Sequence, residues 1–403
     1  MGDFHQGRII TTLHRLTDRP TADLEQELCD FSQQRPMSLI LPSLYSELEG
    51  PALQHIIDEL SQVPYLNEIV IGLDRANEDQ FRHARQYFGK LPQHVRILWQ
   101  DGPRLRALDS LLESHGLAPS APGKGRNVWY CYGYALASKR GEAIALHDCD
   151  ILTYNRDMLA RLLYPVANPN MDYHFCKGYY YRVSNGRLHG RVNRLLVAPL
   201  LAAMDKVIGP AHYLEYLSSF RYALAGEFAT RTDVVRHIRI PSDWGLEIGV
   251  LSEVYRNYST RRICQVEIAD SYDHKHQSLS PQDAQAGLSK MSTDIAKAIY
   301  RKLATHGIVF SEGTFRTIKA TYYRTALDML EHYAADAVIN GLTMDRHAEE
   351  QAIELFAQNI MRAGESFMAN PMETPFMPSW ERVISAVPDI LEQLHEAVEL
   401  DNQ

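Results

Sequence analysis

Ala143-Ile144-Ala145-Leu146-His147-Asp148-Cys149-Asp150 decides how this chain reads. Four apolar residues with no turn former run directly into two aspartates two positions apart. In extended backbone, residues i and i+2 project to the same side, so both carboxylates face one ligand. Paired hard oxygens suit Mg²⁺ or Mn²⁺, cations that commonly bridge a protein to phosphate. A solvated loop, or a helix cap at Asp150, is the plainer alternative. The position at the end of a strand favours the metal.

Upstream, three more short apolar runs, 37–41, 68–73 and 95–99, each end in a loop. Helical patterns at 48–60 and 77–88 separate them. Strand–helix–strand alternation of this kind predicts an α/β fold, a mostly parallel sheet flanked by helices. Ligands bind such sheets beyond the carboxyl ends of the strands, so the residues just after each run are the ones to inspect. Residues 1–35 are polar, with a helix predicted over 21–32. From residue 281 the apolar residues recur at helical spacing, as in Leu288, Met291, Ile295 and Ile299, which predicts a helical C-terminal region.

Composition sets the outer bounds. Of 403 residues, 45% are hydrophobic, enough for a large core and against a disordered chain. Lys plus Arg number 41 and Asp plus Glu 50, a net charge of −9. That balance argues against nucleic acid as partner, although it permits a local cationic pocket. No apolar run approaches the roughly 20 residues of a membrane span. The start, Met1-Gly2-Asp3-Phe4-His5, lacks a signal-peptide pattern, and the five scattered cysteines form no CxxC pair. A reduced, cytoplasmic protein is the expectation.

Four further segments carry candidate chemistry. In Gly123-Lys124-Gly125-Arg126-Asn127, two glycines flank a lysine before a helical stretch predicted over 128–138; such a loop can cradle a phosphate, or be a surface turn. Ser242-Asp243-Trp244-Gly245-Leu246-Glu247 combines acids, a tryptophan and a glycine, where a simple N-cap explains part of the pattern. Gly226-Glu227-Phe228-Ala229 stands just upstream. Tyr272-Asp273-His274-Lys275-His276 offers two histidines as metal ligands, or a solvated pair. Lys177, Arg182, Arg187, Arg191 and Arg194 make an anion pocket or a solvated basic face.

Taken in order, a Pro-containing loop after the first strand, PGKG, DxD, GRV…PLL, GEFA, WGLEIG and a late histidine form a specific combination. The chain resembles the glucosyl-3-phosphoglycerate synthases, a family of retaining GT-A glycosyltransferases, and more distantly the mannosylglycerate synthases. The likeness spans roughly residues 36–280, and no motif in the C-terminal helices matches. It implies an N-terminal helical extension (1–35), a GT-A catalytic domain (36–280) and a C-terminal helical domain (281–403). It further implies glucose transfer from UDP-glucose to 3-phosphoglycerate, with Mg²⁺ or Mn²⁺, by a cytoplasmic homodimer without nucleic-acid or membrane partners.

Residue by residue, the resemblance puts Pro42, Ser43 and Leu44 beside the nucleotide, with Ser46, Asp74 and Cys149 also on the donor side. Lys124 would contact the donor, and Asp148 and Asp150 are the DxD pair, with Asp150 the direct metal ligand. His274 would complete the metal site; a one-residue gap leaves His276 open for that place, or else at the acceptor. Gly190, Arg191, Val192 and Asn193 match the acceptor loop, and Glu247 an acid close to the transferred sugar. The first loop departs from the family's PALNEE in carrying Ser46 for an acid, the loop after the second strand keeps only part of a DSxSxD run, and Asn193 replaces a threonine.

Rival readings are a sugar nucleotidyltransferase, a degenerate sugar-nucleotide binder, and transfer from GDP-mannose or to free glycerate. A nucleotidyltransferase would carry its glycine-rich loop after the first strand, where no glycine occurs before Gly50. Intact Lys124, Asp148, Asp150, Arg191 and His274 speak against a degenerate binder.

Overall fold

Runs of branched and aliphatic residues that alternate with helices bury best as the inner strands of a parallel sheet, shielded on both faces. The computed structural model, which describes residues 6, 9–119, 122–274, 287–371 and 376–403, has that architecture. Its main sheet contains β1 (Thr11–Leu13), β2 (Met37–Leu44), β3 (Leu66–Asp74), β4 (Val95–Trp99), β5 (Ala143–Leu146), β6 (Phe175–Tyr180), β9 (Phe228–Arg231) and β10 (Ile263–Ala269). A small hairpin is formed by β7 (Val183–Ser184) and β8 (Arg187–Leu188). The strand order is β1-β10-β6-β9-β5-β2-β3-β4. All neighbours pair in parallel except β9, which runs antiparallel to both β5 and β6.

The four predicted runs all form strands. The two helices between them also form, the second with Asn77 capping Gln80 N–H in a capping box. One difference lies at the N-terminus. Residues 1–35 were read as a helical extension, yet Thr11–Leu13 adds an edge strand parallel to β10. Three residues reading Thr-Thr-Leu give no alternation to detect; only the free edge of β10 makes them a strand.

The chain order reverses between β2 and β5. Here β5 pairs with Met37–Ile40 and then stops, whereas β2 continues to Leu44 along β3. Pro42, which lacks an N–H, therefore sits in strand conformation without breaking a ladder to β5. The gap left beyond β5 is the crevice of the switch point.

The C-terminal helices, Gly287–Thr305, Glu312–Ile339, Arg346–Ala369, Trp380–Ala386 and Ile390–Asp401, share one hydrophobic core with a face of this sheet. Trp129 and Tyr132 of the Lys124–Ser138 helix belong to the same buried cluster as Ile299, Phe356 and Trp380. Among the described residues, no helix is long and apolar enough to cross a membrane.

Candidate active site

Because β9 is antiparallel, its amino end lies beside the carboxyl end of β5, with Phe228 opposite Leu146. Glu227 and Asp148 thus enter the crevice from adjacent strands. Gly226 makes this approach possible: a Cβ there would stand 2.4 Å from Asp148 Oδ2. Glu227 is fully buried, accepts a 2.8 Å hydrogen bond from Tyr272 Oη, and its carbonyl accepts from Gly178 N–H at 2.9 Å. Burial, and then the Asp148 charge, push its carboxyl above the usual range.

Lys124 is the first residue of its helix rather than part of a free loop. Its Nζ lies 2.7 Å from Asp148 Oδ1 and 3.6 Å from Glu247 Oε1. Burial disfavours the ammonium, but Asp148 and Glu247 outweigh it and hold Lys124 firmly protonated. Burial would likewise raise Asp148, and the lysine instead keeps it ionised. Glu247 stands in the first turn of the Leu246–Asn257 helix. Asp243 shapes the entry by accepting Gly245 N–H at 2.9 Å. Glu247 is thus a helix-start acid that also neighbours Lys124.

Asp150 faces another partner. The loop after β5 is stitched to the loop after β10 by Leu152 N–H to Asp273 O (2.9 Å) and Asp273 N–H to Thr153 Oγ1 (3.1 Å). This brings His274 Nδ1 to 3.8 Å from Asp150 Oδ1. Two ligands each about 2.1 Å from one small cation lie roughly 3–4 Å apart, so the pair fits Mg²⁺ or Mn²⁺. Among the described residues no cluster of three or more His, Cys, Asp or Glu converges. His276 lies outside the described residues.

The residues of the expected donor side differ in burial. Pro42 and Leu44 are half-buried, Ser43 is buried with its hydroxyl on Leu44 O (3.0 Å), and Ser46 is exposed on the Tyr45–Glu49 turn. Asp74 accepts Arg75 N–H and lines a polar cleft with Gln100, Asp101, Asp109, Pro122 and Arg126. The Cys149 side chain packs in the core at 3% exposure, so only its backbone can face a ligand.

The basic cluster read from the sequence divides. Lys177, on β6, is not on a solvated face: it is fully buried, its Nζ has no hydrogen-bond partner, and it stands 5.1 Å from the Phe228 ring centroid. Burial lowers its ammonium to about 8 against the pull of Glu247 and Glu227. Arg182 is buried over the Tyr272 ring. In the segment expected to hold the acceptor, Gly190 adopts φ +78° and the chain winds through a π-helical turn, Val192–Val197. Val192 and Asn193 are half-buried there. Arg191 Nε donates to Glu349 Oε1 at 2.6 Å, and Arg194 Nη2 to Glu349 Oε2 at 2.8 Å.

Sequence reasoning placed Lys177 only within a basic cluster, noted Glu227 only within the GEFA motif, and gave Glu349 no role. A GE pair directly before a strand was a usable signal for Glu227. Nothing local marks Glu349, which lies 155 residues from Arg194.

No family model matches the chain. Glucosyl-3-phosphoglycerate synthase of Persephonella marina is 49% identical over 402 residues, covering 100% of this chain and 99% of the relative. The chain belongs to the glucosyl-3-phosphoglycerate synthase family. The enzyme of that name from Methanococcoides burtonii is 41% identical, over 98% of this chain and 97% of its own length. Both alignments include the C-terminal helices, so that region is shared with these family members. The glucosyl-3-phosphoglycerate synthase of Mycobacterium tuberculosis, solved with Mn²⁺, UDP and phosphoglyceric acid, has a TM-score of 0.54 at 22% identity, covering 75% of this chain and 88% of that one. Mannosyl-3-phosphoglycerate synthase of Rubrobacter xylanophilus gives 0.54 at 21% identity, over 75% of this chain and 83% of its own. At such identities these two structures establish the shared GT-A fold.

Proposed function

We propose that the chain is a metal-dependent glycosyltransferase that moves glucose from UDP-glucose to 3-phosphoglycerate with retention of configuration. The observation that carries this reading is the Asp150–His274 pair beside the Lys124–Asp148–Glu247 network, in a chain alignable end to end with a glucosyl-3-phosphoglycerate synthase.

Asp150 and His274 would hold Mn²⁺ or Mg²⁺, which supplies Lewis-acid neutralisation of the diphosphate. Lys124 adds a fixed cation beside that leaving group, preorganised by Asp148. Glu247 orients the transferred sugar from the opposite side of Lys124. The acceptor hydroxyl attacks the anomeric carbon on the leaving-group face; the carbon–oxygen bond to phosphate breaks, and the hydroxyl proton passes to the departing phosphate oxygen. Arg191 presents a guanidinium to the acceptor's anionic groups. Pro42, Ser43, Leu44, Ser46 and Asp74 flank the nucleotide, Cys149 contributes backbone, and Gly190, Val192 and Asn193 shape the acceptor loop. A phosphorylated acid, rather than glycerate, suits the concentration of arginine there.

A donor-by-acceptor matrix with Mn²⁺ or Mg²⁺, read as nucleotide release and product mass, tests the reading. UDP-glucose with 3-phosphoglycerate should give the fastest turnover, and Asp150→Ala should reduce it by at least about 100-fold. Preference for GDP-mannose or for free glycerate would overturn the donor or acceptor assignment respectively. Residues 36–280 would be the catalytic part and 281–403 its helical cover. A cytoplasmic homodimer fits the membrane-free helices and the exposed apolar Val338 and Ile339. Analytical ultracentrifugation checks the dimer.

A further inference from the structure

The helices beyond residue 281 carry no chemical motif, yet they grip the chain on both sides of the acceptor loop. Thr343 N–H donates to Gly186 O at 2.8 Å, Tyr322 Oη to Leu195 O at 2.5 Å, and the Tyr333 ring lies 5.0 Å from the Arg194 guanidinium. The buried centre of this grip is Glu349, whose side chain is 3% exposed. Each of its oxygens takes one arginine: Oε1 accepts from Arg191 Nε and Oε2 from Arg194 Nη2.

The two arginines are not equivalent. Arg194 is 8% exposed and also donates its Nε to His189 O at 2.8 Å, so it braces the loop. Arg191 is 36% exposed and is held at Nε by Glu349. A guanidinium is a rigid planar fork, so fixing Nε sets the plane in which both terminal nitrogens point. Those nitrogens have the spacing for bidentate contact with a carboxylate or phosphate.

We infer that Glu349 is a positioning residue for the acceptor: it clamps Arg191 by Nε so that the terminal nitrogens meet the anionic group of the phosphorylated acid. The inference rests on the reading of residues 190–193 as the acceptor loop. The opposing possibility is that Glu349 cancels the charge of Arg191 and competes with the acceptor. The two differ in sign. A clamp, once removed, weakens acceptor binding because Arg191 regains its rotamer freedom; a competitor, once removed, strengthens it.

The experiment uses the full chain with Glu349→Ala and Glu349→Gln, varying 3-phosphoglycerate at saturating UDP-glucose and Mn²⁺, then UDP-glucose at saturating acceptor. Glu349→Ala should raise the KM for 3-phosphoglycerate about tenfold or more, with the KM for UDP-glucose within about twofold. Glu349→Gln keeps a carbonyl that can accept from Arg191 and should recover only part of the loss, leaving the KM for 3-phosphoglycerate at least about threefold above wild type. Because Ala leaves a buried arginine uncompensated, the Gln variant and calorimetric binding of 3-phosphoglycerate to the UDP–Mn²⁺ complex provide the readout if the Ala protein does not fold. An acceptor KM and affinity unchanged or improved in the folded variants overturns the clamp. A wild type that neither binds nor turns over 3-phosphoglycerate overturns the functional reading and the clamp with it, whereas an active wild type with unmoved variants overturns the clamp alone.

Discussion

Asp148 and Asp150 differ by two positions and end with opposite proton preferences. Lys124 keeps Asp148 ionised, while burial and then the charge of Asp148 raise Asp150 to about 7. A raised folded-state carboxyl stabilises the metal-free fold fully below the ordinary value of 3.8, and that contribution is lost as pH rises through about 7. A cation requires the ionised form, so below about pH 7 its binding must release the proton, whereas above that pH the carboxylate is already free to bind it. Apparent Mn²⁺ affinity, measured by calorimetry in the presence of UDP, should rise up to about tenfold per pH unit toward about 7 and level off above. Asp150→Asn should bind weakly with no such slope. A flat wild-type profile between pH 5.5 and 8.5 would dispose of the assignment of Asp150 as ligand. The same two residues were legible in the sequence because they directly follow the apolar run that forms β5. Their different protonation was not, since it depends on Lys124.

At the scale of elements, the Lys124–Ser138 helix joins the crevice to the C-terminal region. Its start carries Lys124, and two turns on it receives Trp380. The two tryptophans Trp129 and Trp380 stack with centroids 4.2 Å apart, and each indole N–H is satisfied by a backbone carbonyl, Pro378 O and Trp129 O. Gly133 leaves the space for the second ring: a Cβ there would lie 2.1 Å from Trp380 Cζ2. Trp380 is fully buried and cannot yield, so Gly133→Ala should cost about 1–3 kcal/mol or more despite alanine's better helix propensity. Gly313→Ala, whose Cβ meets nothing closer than Ser311 Oγ at 3.6 Å, should be neutral or mildly stabilising. Equilibrium denaturation of both variants checks this; equal stabilities would remove the packing argument. At the other edge, Asn402 uses its amide to bond both Ile97 N–H (3.0 Å) and Ile97 O (2.9 Å), covering β4 where a sheet edge would otherwise invite pairing.

For the whole molecule, the C-terminal helices are part of the core that the sheet buries. Glu399, near the last residue, bonds Arg96 on β4 and Tyr134 on the crevice helix at 2.9 and 2.8 Å. Arg96 draws the Glu399 carboxyl down to about 2, as expected of a bidentate pair. A chain ended at residue 280 would expose Trp129, Tyr132 and Leu196, all now buried. It should show no cooperative thermal transition and should aggregate, measured by calorimetry and size exclusion. A soluble fragment with the full-length Tm would show instead that the sheet is independent of its cover. The net charge of −9 describes a surface. Inside, one buried acid joins two arginines, and a buried lysine faces two acids.

Much of this was decided by the sequence alone. Strands β2 to β5, the helices over Pro51–Leu60 and Glu78–Phe88 and the aspartate pair follow from spacing over a few residues, whereas the helix Pro103–Ser114 and the start of the next helix at Lys124 did not show in that spacing. The order of motifs carried the family as well. Tertiary structure decided what local spacing cannot express. The edge strand β1 exists because β10 leaves an edge free. Lys177, read within an anion pocket or a solvated basic face, became a buried cation because an inner strand buries both its faces. Arg191 acquired an orientation from Glu349, and His274 came to Asp150 through a loop stitched to another loop. Each of these depends on contacts between residues tens to hundreds apart, and burial and electrostatics there are set by which chains of the fold meet, a quantity no short window of sequence contains.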